Sequence, residues 1–197
     1  MKAKHLLLLS CTLSIFLFVG CDSVGDSGDA IKWTSFDKIA DKQGQKMIFI
    51  ELYTPWCGWC RRMENVTFND PTVAKYMNKN FYNIQFDAED RRPIKFLGKN
   101  YRFDAADGSR GRHSLAKALM TDSEKQGYPT VVFLDENYNL IQAIPGYISA
   151  KDFEAIMRYF GDGHYKTTTW TDFVTKYGVK AQGNSNTDGT NAEPEGN

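Results

Sequence analysis

Two cysteines, Cys57 and Cys60, stand three residues apart in the run Trp56-Cys57-Gly58-Trp59-Cys60. At the start of a helix that spacing has a chemical use. The first thiol sits beside unpaired backbone N–H groups and the positive end of the helix dipole, and both stabilise a thiolate. Such a setting lowers a cysteine pKa from about 8.5 to about 7 or below. The second thiol, one turn on, can attack the mixed disulfide formed by the first and release the product. Cys57 is therefore the candidate attacking thiol and Cys60 the candidate resolving one. Trp56, Gly58 and Trp59 would form the surface a substrate meets, although Trp56 can equally pack as part of the fold. Arg61 and Arg62 either add positive potential or are simply solvated. Zinc would need two more ligands, and beyond residue 20 only His113 and His164 could add imidazole. A haem attachment needs His after the second Cys, where Arg61 stands. A structural disulfide remains the third reading of the pair.

The elements around the pair suit the redox reading. Met47 to Tyr53 (MIFIELY) is an apolar run broken by one acid, Glu51, as expected of a strand buried on both faces. A helix is expected over Arg61 to Val66. Asp70-Pro71 opens another, with Asp70 as N-cap and Val73, Ala74 and Met77 at helical spacing. A short helix over Ser35 to Asp41 would bury Phe36, Ile39 and Ala40. Phe81 to Phe86, Thr130 to Leu134 and Asn139 to Ile144 read as strands, with Tyr53, Phe86, Val132 and Phe133 in the core. Arg92 to Leu97 reads as a short helix, as does Ser114 to Met120, with Leu115, Ala118 and Leu119 inward. Ser149 caps a helix that Gly161 ends, and Trp170 to Tyr177 adds a last one. The order predicts an α/β fold with a central mixed sheet flanked by helices.

The N-terminal residues predict export. Lys2 and Lys4 precede an apolar stretch, Leu6 to Val19, too short for the roughly 20 residues of a spanning helix. A removable signal over residues 1–20 fits. Phe18-Val19-Gly20-Cys21 resembles the lipobox of bacterial lipoproteins, which implies lipidation of Cys21 and attachment to a membrane of the cell envelope; an ordinary cleaved signal is the alternative. Loss of residues 1–20 removes Cys11 and leaves 22 basic against 24 acidic residues. A domain stapled by disulfides would need several pairs, which favours a catalytic role for Cys57 and Cys60. The near-neutral charge gives no footprint for nucleic acid. Residues 21–30 suit a flexible spacer, 31–180 the folded domain, and 181–197 a disordered tail.

Trp56-Cys57-Gly58-Trp59-Cys60 resembles the active site of the thioredoxin superfamily, and Gly127-Tyr128-Pro129-Thr130 resembles its second signature. The run from Glu64 to Val73 is similar to the branch that holds the C-terminal domain of the electron carrier DsbD and related exported proteins. The resemblance implies a thioredoxin fold over about residues 33–160 and a thiol–disulfide oxidoreductase needing no cofactor or metal beyond its own dithiol. It implies a cis bond at Pro129, with the backbone at Tyr128 pairing with substrate. Glu51 falls where the family keeps a buried acid beneath the resolving cysteine. The Lys that commonly partners this acid is matched, without gaps, by Asn83. Exported protein thiols and disulfides are the implied partners, with a DsbD-type membrane donor of electrons. Reduction is the favoured direction; an oxidase or isomerase, or a non-enzymatic partner-binding lipoprotein, are the rivals. The segment 98–127 exceeds a minimal thioredoxin and carries Arg102, Arg110, Arg112, His113 and Lys117. It either shapes the rim of the site and selects partners or is a helical flap covering a sheet edge.

Overall fold

The computed structural model describes residues 30–105, 110–120 and 127–177. The expected signal, Cys21, most of the spacer and the 181–197 tail lie outside these residues. Among the described residues no helix is long and apolar enough to cross a membrane.

In chain order the elements begin with β1 (Trp33–Thr34), α1 (Phe36–Ile39), β2 (Met47–Tyr53), α2 (Gly58–Met63), α3 (Pro71–Asn80) and β3 (Phe81–Asp87). Two small hairpins follow, β4 (Ile94–Phe96) with β5 (Lys99–Tyr101) and β6 (Phe103–Asp104) with β7 (Arg112–His113). The chain then forms α4 (Ser114–Met120), β8 (Thr130–Leu134), β9 (Leu140–Pro145), α5 (Ala150–Gly161) and α6 (Trp170–Tyr177). The main sheet has the order β1-β3-β2-β8-β9, with β1, β3 and β2 parallel and β8 and β9 antiparallel to their neighbours. The mixed α/β sheet read from the sequence is therefore present.

Successive strand residues point to opposite faces, and here both faces are covered. Ile48, Ile50 and Leu52 of β2 join Ile84, Phe86, Val132 and Leu134 in one core, under α1 and α4. Met47 and Phe49 point the other way, into a second core with Met63, Phe68, Phe133 and Phe153. Phe49 is ringed by Phe68, Phe133 and Phe153, with centroids 5.4–5.8 Å away. Alternation therefore turns Glu51 toward α2 rather than toward the insertion.

The caps act where expected. Asp70 Oδ1 accepts from the N–H groups of Thr72 (2.9 Å) and Val73 (3.1 Å), ahead of Pro71 at the first helical position. Ser149 accepts from Asp152 N–H. Gly161 lies inside α5, and the left-handed residue beyond its end is Gly163, φ +76°. Gly161 is required for another reason: a Cβ there would stand 2.6 Å from the Tyr76 hydroxyl.

The helix expected over Arg92 to Leu97 is instead β4 and the start of a hairpin turn. Leu97 (φ +51°) and Gly98 (φ +75°) both take the left-handed conformation that joins β4 to β5. Ala40 and Ala118 are exposed, Ala116 takes the inward place in α4, and Tyr53 is half-buried.

Candidate active site

Strand β2 ends at Tyr53, and four residues later Cys57 is the N-cap of α2. Cys57 and Cys60 are joined by a disulfide with Cα atoms 5.3 Å apart. Cys57 Sγ accepts a hydrogen bond from Cys60 N–H at 3.0 Å, one of the donors that a helix start leaves without an internal partner. Both cysteines are buried, 5% and 4% exposed, whereas the flanking Trp56 and Trp59 are 50% and 56% exposed. The sulfurs thus lie recessed between two large apolar surfaces. Gly58 meets nothing closer than Arg61 Nη2 at 3.9 Å from its notional Cβ, so packing does not demand glycine there. After Met63 the helix widens into a π-turn, Glu64–Phe68, which Thr67 ties down by donating to the Ile148 carbonyl at 2.6 Å.

Beneath α2, Glu51 is fully buried on β2. Its Oε2 accepts from Gln85 Nε2 at 3.0 Å, while Oε1 has no hydrogen-bond partner among the described residues. A cavity of about 60 Å³, bounded among others by Glu51, Thr54, Cys60 and Glu64, opens beside it. That volume exceeds the ~10–15 Å³ a water needs, and the Thr54 hydroxyl is a second unpartnered polar group on its wall. Burial pushes the Glu51 carboxyl up to about 7, the Gln85 hydrogen bond opposes this, and the nearby Glu64 charge adds to it. The residue across from Glu51 is Gln85 and not Asn83, which pairs with Phe49 one repeat earlier. An uncharged amide therefore occupies the place where a lysine was sought.

Strand β8 begins at Thr130, opposite Leu52 of β2, so the residues before it lie at the same end of the sheet as the disulfide. The Tyr128–Pro129 bond is cis, as the resemblance implied. Pro129 carbonyl accepts from Gly146 N–H at 2.7 Å. Tyr128 and Trp56 meet edge to face, centroids 6.3 Å apart, and the Trp56 indole N–H donates to Glu89 at 3.0 Å. On the other flank Trp59 packs on Tyr147 (5.5 Å), with the Arg62 guanidinium over both rings. Arg61 donates to the Pro55 carbonyl. Both arginines thus have structural contacts at the site.

The insertion is held from within. His113, fully buried, accepts from Leu115 N–H at Nδ1 (3.2 Å) and faces the Arg92 carbonyl with Nε2 (3.1 Å), which fixes Nε2 as its protonated nitrogen. Its ring lies edge-on to Phe86. Helix α4 buries Leu115, Ala116, Leu119 and Met120 against one face of the sheet, so part of the segment is a helical cover, over a face rather than over the expected sheet edge. The preceding hairpin, however, carries Arg110 and Arg112 to the rim beside Trp56 and Tyr128. Glu64, Gln85 and Glu89 were missed as site residues. Among the described residues no group of three or more His, Cys, Asp or Glu is gathered as for a metal.

Residues 35–161 match the model of the thioredoxin-like domain family. The chain is 26% identical over 137 residues to the thiol:disulfide interchange protein DsbD of Tatumella citrea, a match covering 66% of this chain and 20% of that protein. It is 24% identical over 163 residues to protein disulfide-isomerase 1 of Dictyostelium discoideum, covering 82% of this chain and 36% of that one. Among solved structures, a thioredoxin-fold protein from Helicobacter pylori superposes with a TM-score of 0.54 at 19% identity, covering 73% of this chain and 86% of that one. The chain thus spans about a fifth of the DsbD and about a third of the isomerase.

Proposed function

From the premise that this chain belongs to the thioredoxin-like domain family, we propose that it is a thiol–disulfide oxidoreductase, working through Cys57 and Cys60 and reducing disulfides of exported proteins. The observation that carries this reading is the placement of the pair: Cys57 at a helix start, its sulfur hydrogen-bonded by Cys60 N–H, and Cys60 on the wall of the Glu51 cavity.

In the dithiol form, the Cys57 thiolate attacks one sulfur of a substrate disulfide. A mixed disulfide forms, and the other substrate sulfur leaves as a thiolate that takes a proton from solvent. Cys60 then gives its proton to ionised Glu51, directly or through water, and attacks Cys57 Sγ. The Cys57–Cys60 disulfide forms, the second substrate thiol is released, and two electrons have passed to the substrate. A carboxyl poised near neutrality suits this proton transfer. An external dithiol must restore the reduced form, and a membrane carrier of the DsbD type is the proposed donor. Once the leader is removed, lipid on Cys21 would hold the domain at a membrane on the exported side.

Reduction of insulin by the dithiol protein tests the chemistry. Cys57→Ser should abolish turnover, and Cys60→Ser should accumulate a mixed disulfide with substrate; activity indifferent to both would remove the enzymatic reading. The direction is read from the potential of the pair, which across related motifs runs from about −270 to −120 mV. A value at the oxidising end would favour the oxidase or isomerase.

A further inference from the structure

Three buried side-chain oxygens among the described residues lack a hydrogen-bond partner, and two of them belong to residues on the wall of one cavity, Glu51 Oε1 and Thr54 Oγ1. Gln85 occupies Oε2, so Oε1 is the carboxyl oxygen left unpaired. Thr54 is 1% exposed, and its place is set by the turn in which Cys57 N–H donates to the Thr54 carbonyl at 3.1 Å. A buried hydroxyl without a partner is unfavourable, and valine would fill the same shape with no polar group to satisfy. The thiol chemistry described so far makes no use of this hydroxyl.

A water is the molecule that suits the cavity. Its volume of about 60 Å³ is far below the ~300 Å³ of a small-molecule pocket and above the ~10–15 Å³ that a water needs. A buried water makes about three hydrogen bonds. Glu51 Oε1 and the Thr54 hydroxyl supply two. Cys60, on the same wall, supplies a third once its sulfur carries a proton. The other ionisable groups of the wall are Tyr53, Arg61 and Glu64; Arg61 and Glu64 are exposed, and Arg61 donates to the Pro55 carbonyl.

We propose that Thr54 is a positioning residue, whose hydroxyl holds a water between Cys60 and Glu51 Oε1, and that the proton of the resolving thiol passes through this water. In that step the Cys60 thiol gives its proton to the water oxygen while the water gives one of its own to Glu51 Oε1. The electron pair left on Cys60 Sγ forms the bond to Cys57 Sγ. The pair of the broken Cys57–substrate bond leaves on the substrate sulfur. The relay rests on the oxidoreductase reading; the water site does not.

Thr54→Val removes the hydroxyl and keeps the shape, whereas Thr54→Ser keeps the hydroxyl. The Glu51 carboxyl carbon is followed by NMR through a pH titration of the oxidised protein, with Glu51→Gln identifying its resonance. Loss of the water leaves the carboxylate less solvated, so Glu51 should titrate at higher pH in Thr54→Val and near its original pH in Thr54→Ser. Release of substrate thiol from a preformed mixed disulfide, measured well above the inflection, should slow about tenfold in Thr54→Val and recover in Thr54→Ser. The first attack by Cys57 should keep its rate in both. A Glu51 titration that stays put in Thr54→Val, or resolution as fast as in the wild type, overturns the proposal. A titration that moves with the hydroxyl in a protein that reduces no disulfide keeps the water site and sinks the oxidoreductase reading instead.

Discussion

Glu51 and Cys60 share the wall of one small cavity, the carboxyl on the sheet below and the thiol's helix above. With its pKa near 7, Glu51 must be ionised to take the Cys60 proton, so resolution of the mixed disulfide should speed up as pH rises through about 7. Glu51→Gln should remove that inflection and slow resolution at neutral pH by about 100-fold. Stopped-flow release of substrate thiol from a preformed mixed disulfide is the measurement.

The same group sets a stability profile. Its folded pKa of about 7 lies above the 4.5 of an unperturbed carboxyl, so the folded protein keeps a proton that the unfolded chain loses. Stability is full below about 4.5, falls as pH rises to about 7, and is level beyond, a loss of about 3 kcal/mol. Glu51→Gln should flatten this slope and be the more stable protein at pH 8, as read by urea denaturation at several pH values.

Gln85 tunes that acid. Gln85→Leu removes the donor to Oε2 and should move the kinetic inflection to higher pH; Gln85→Lys adds a positive charge and should move it down by about a unit or more. An inflection that stays put in both would separate Gln85 from the acid.

His113 locks the insertion in its neutral form. Burial holds its pKa below the ordinary value, so its contribution is full above about 6.5 and is lost as pH falls below that toward the lowered folded value. His113→Leu orphans the Leu115 N–H and the Arg92 carbonyl and should cost about 2–4 kcal/mol at pH 7.5. Denaturant midpoints at pH 7.5 and 5.5 should show the pH dependence shrinking in the variant.

Much of this site is legible in the sequence because its signals are local. MIFIELY can be little but a buried strand, and Asp70-Pro71 and Ser149 mark their helices by side-chain chemistry that the structure repeats. Partnership across the sheet is less legible. Asn83 and Gln85 lie on the same face, two residues apart, and alternation cannot say which one meets Glu51; only the register Met47↔Phe81 does. The insertion is least legible, since strands of two and three residues carry no period to read. Its turn at Leu97-Gly98 lacks the Asn or Asp that would announce a hairpin.

The pairing of β2 with β8, Leu52 opposite Thr130, has a wider bearing. The chain leaves one strand toward Cys57 and enters the other from Pro129, so the strands act as the two arms of a caliper whose jaws are the redox loops. A slip of one residue would carry Pro129 past the sulfurs by about 3.4 Å and turn each side chain of β8 into the wrong core. Phe133 and Leu134, packed on opposite faces at the far end of β8, oppose that slip. Residues with no contact to either thiol thus set the gauge to which the active site is built.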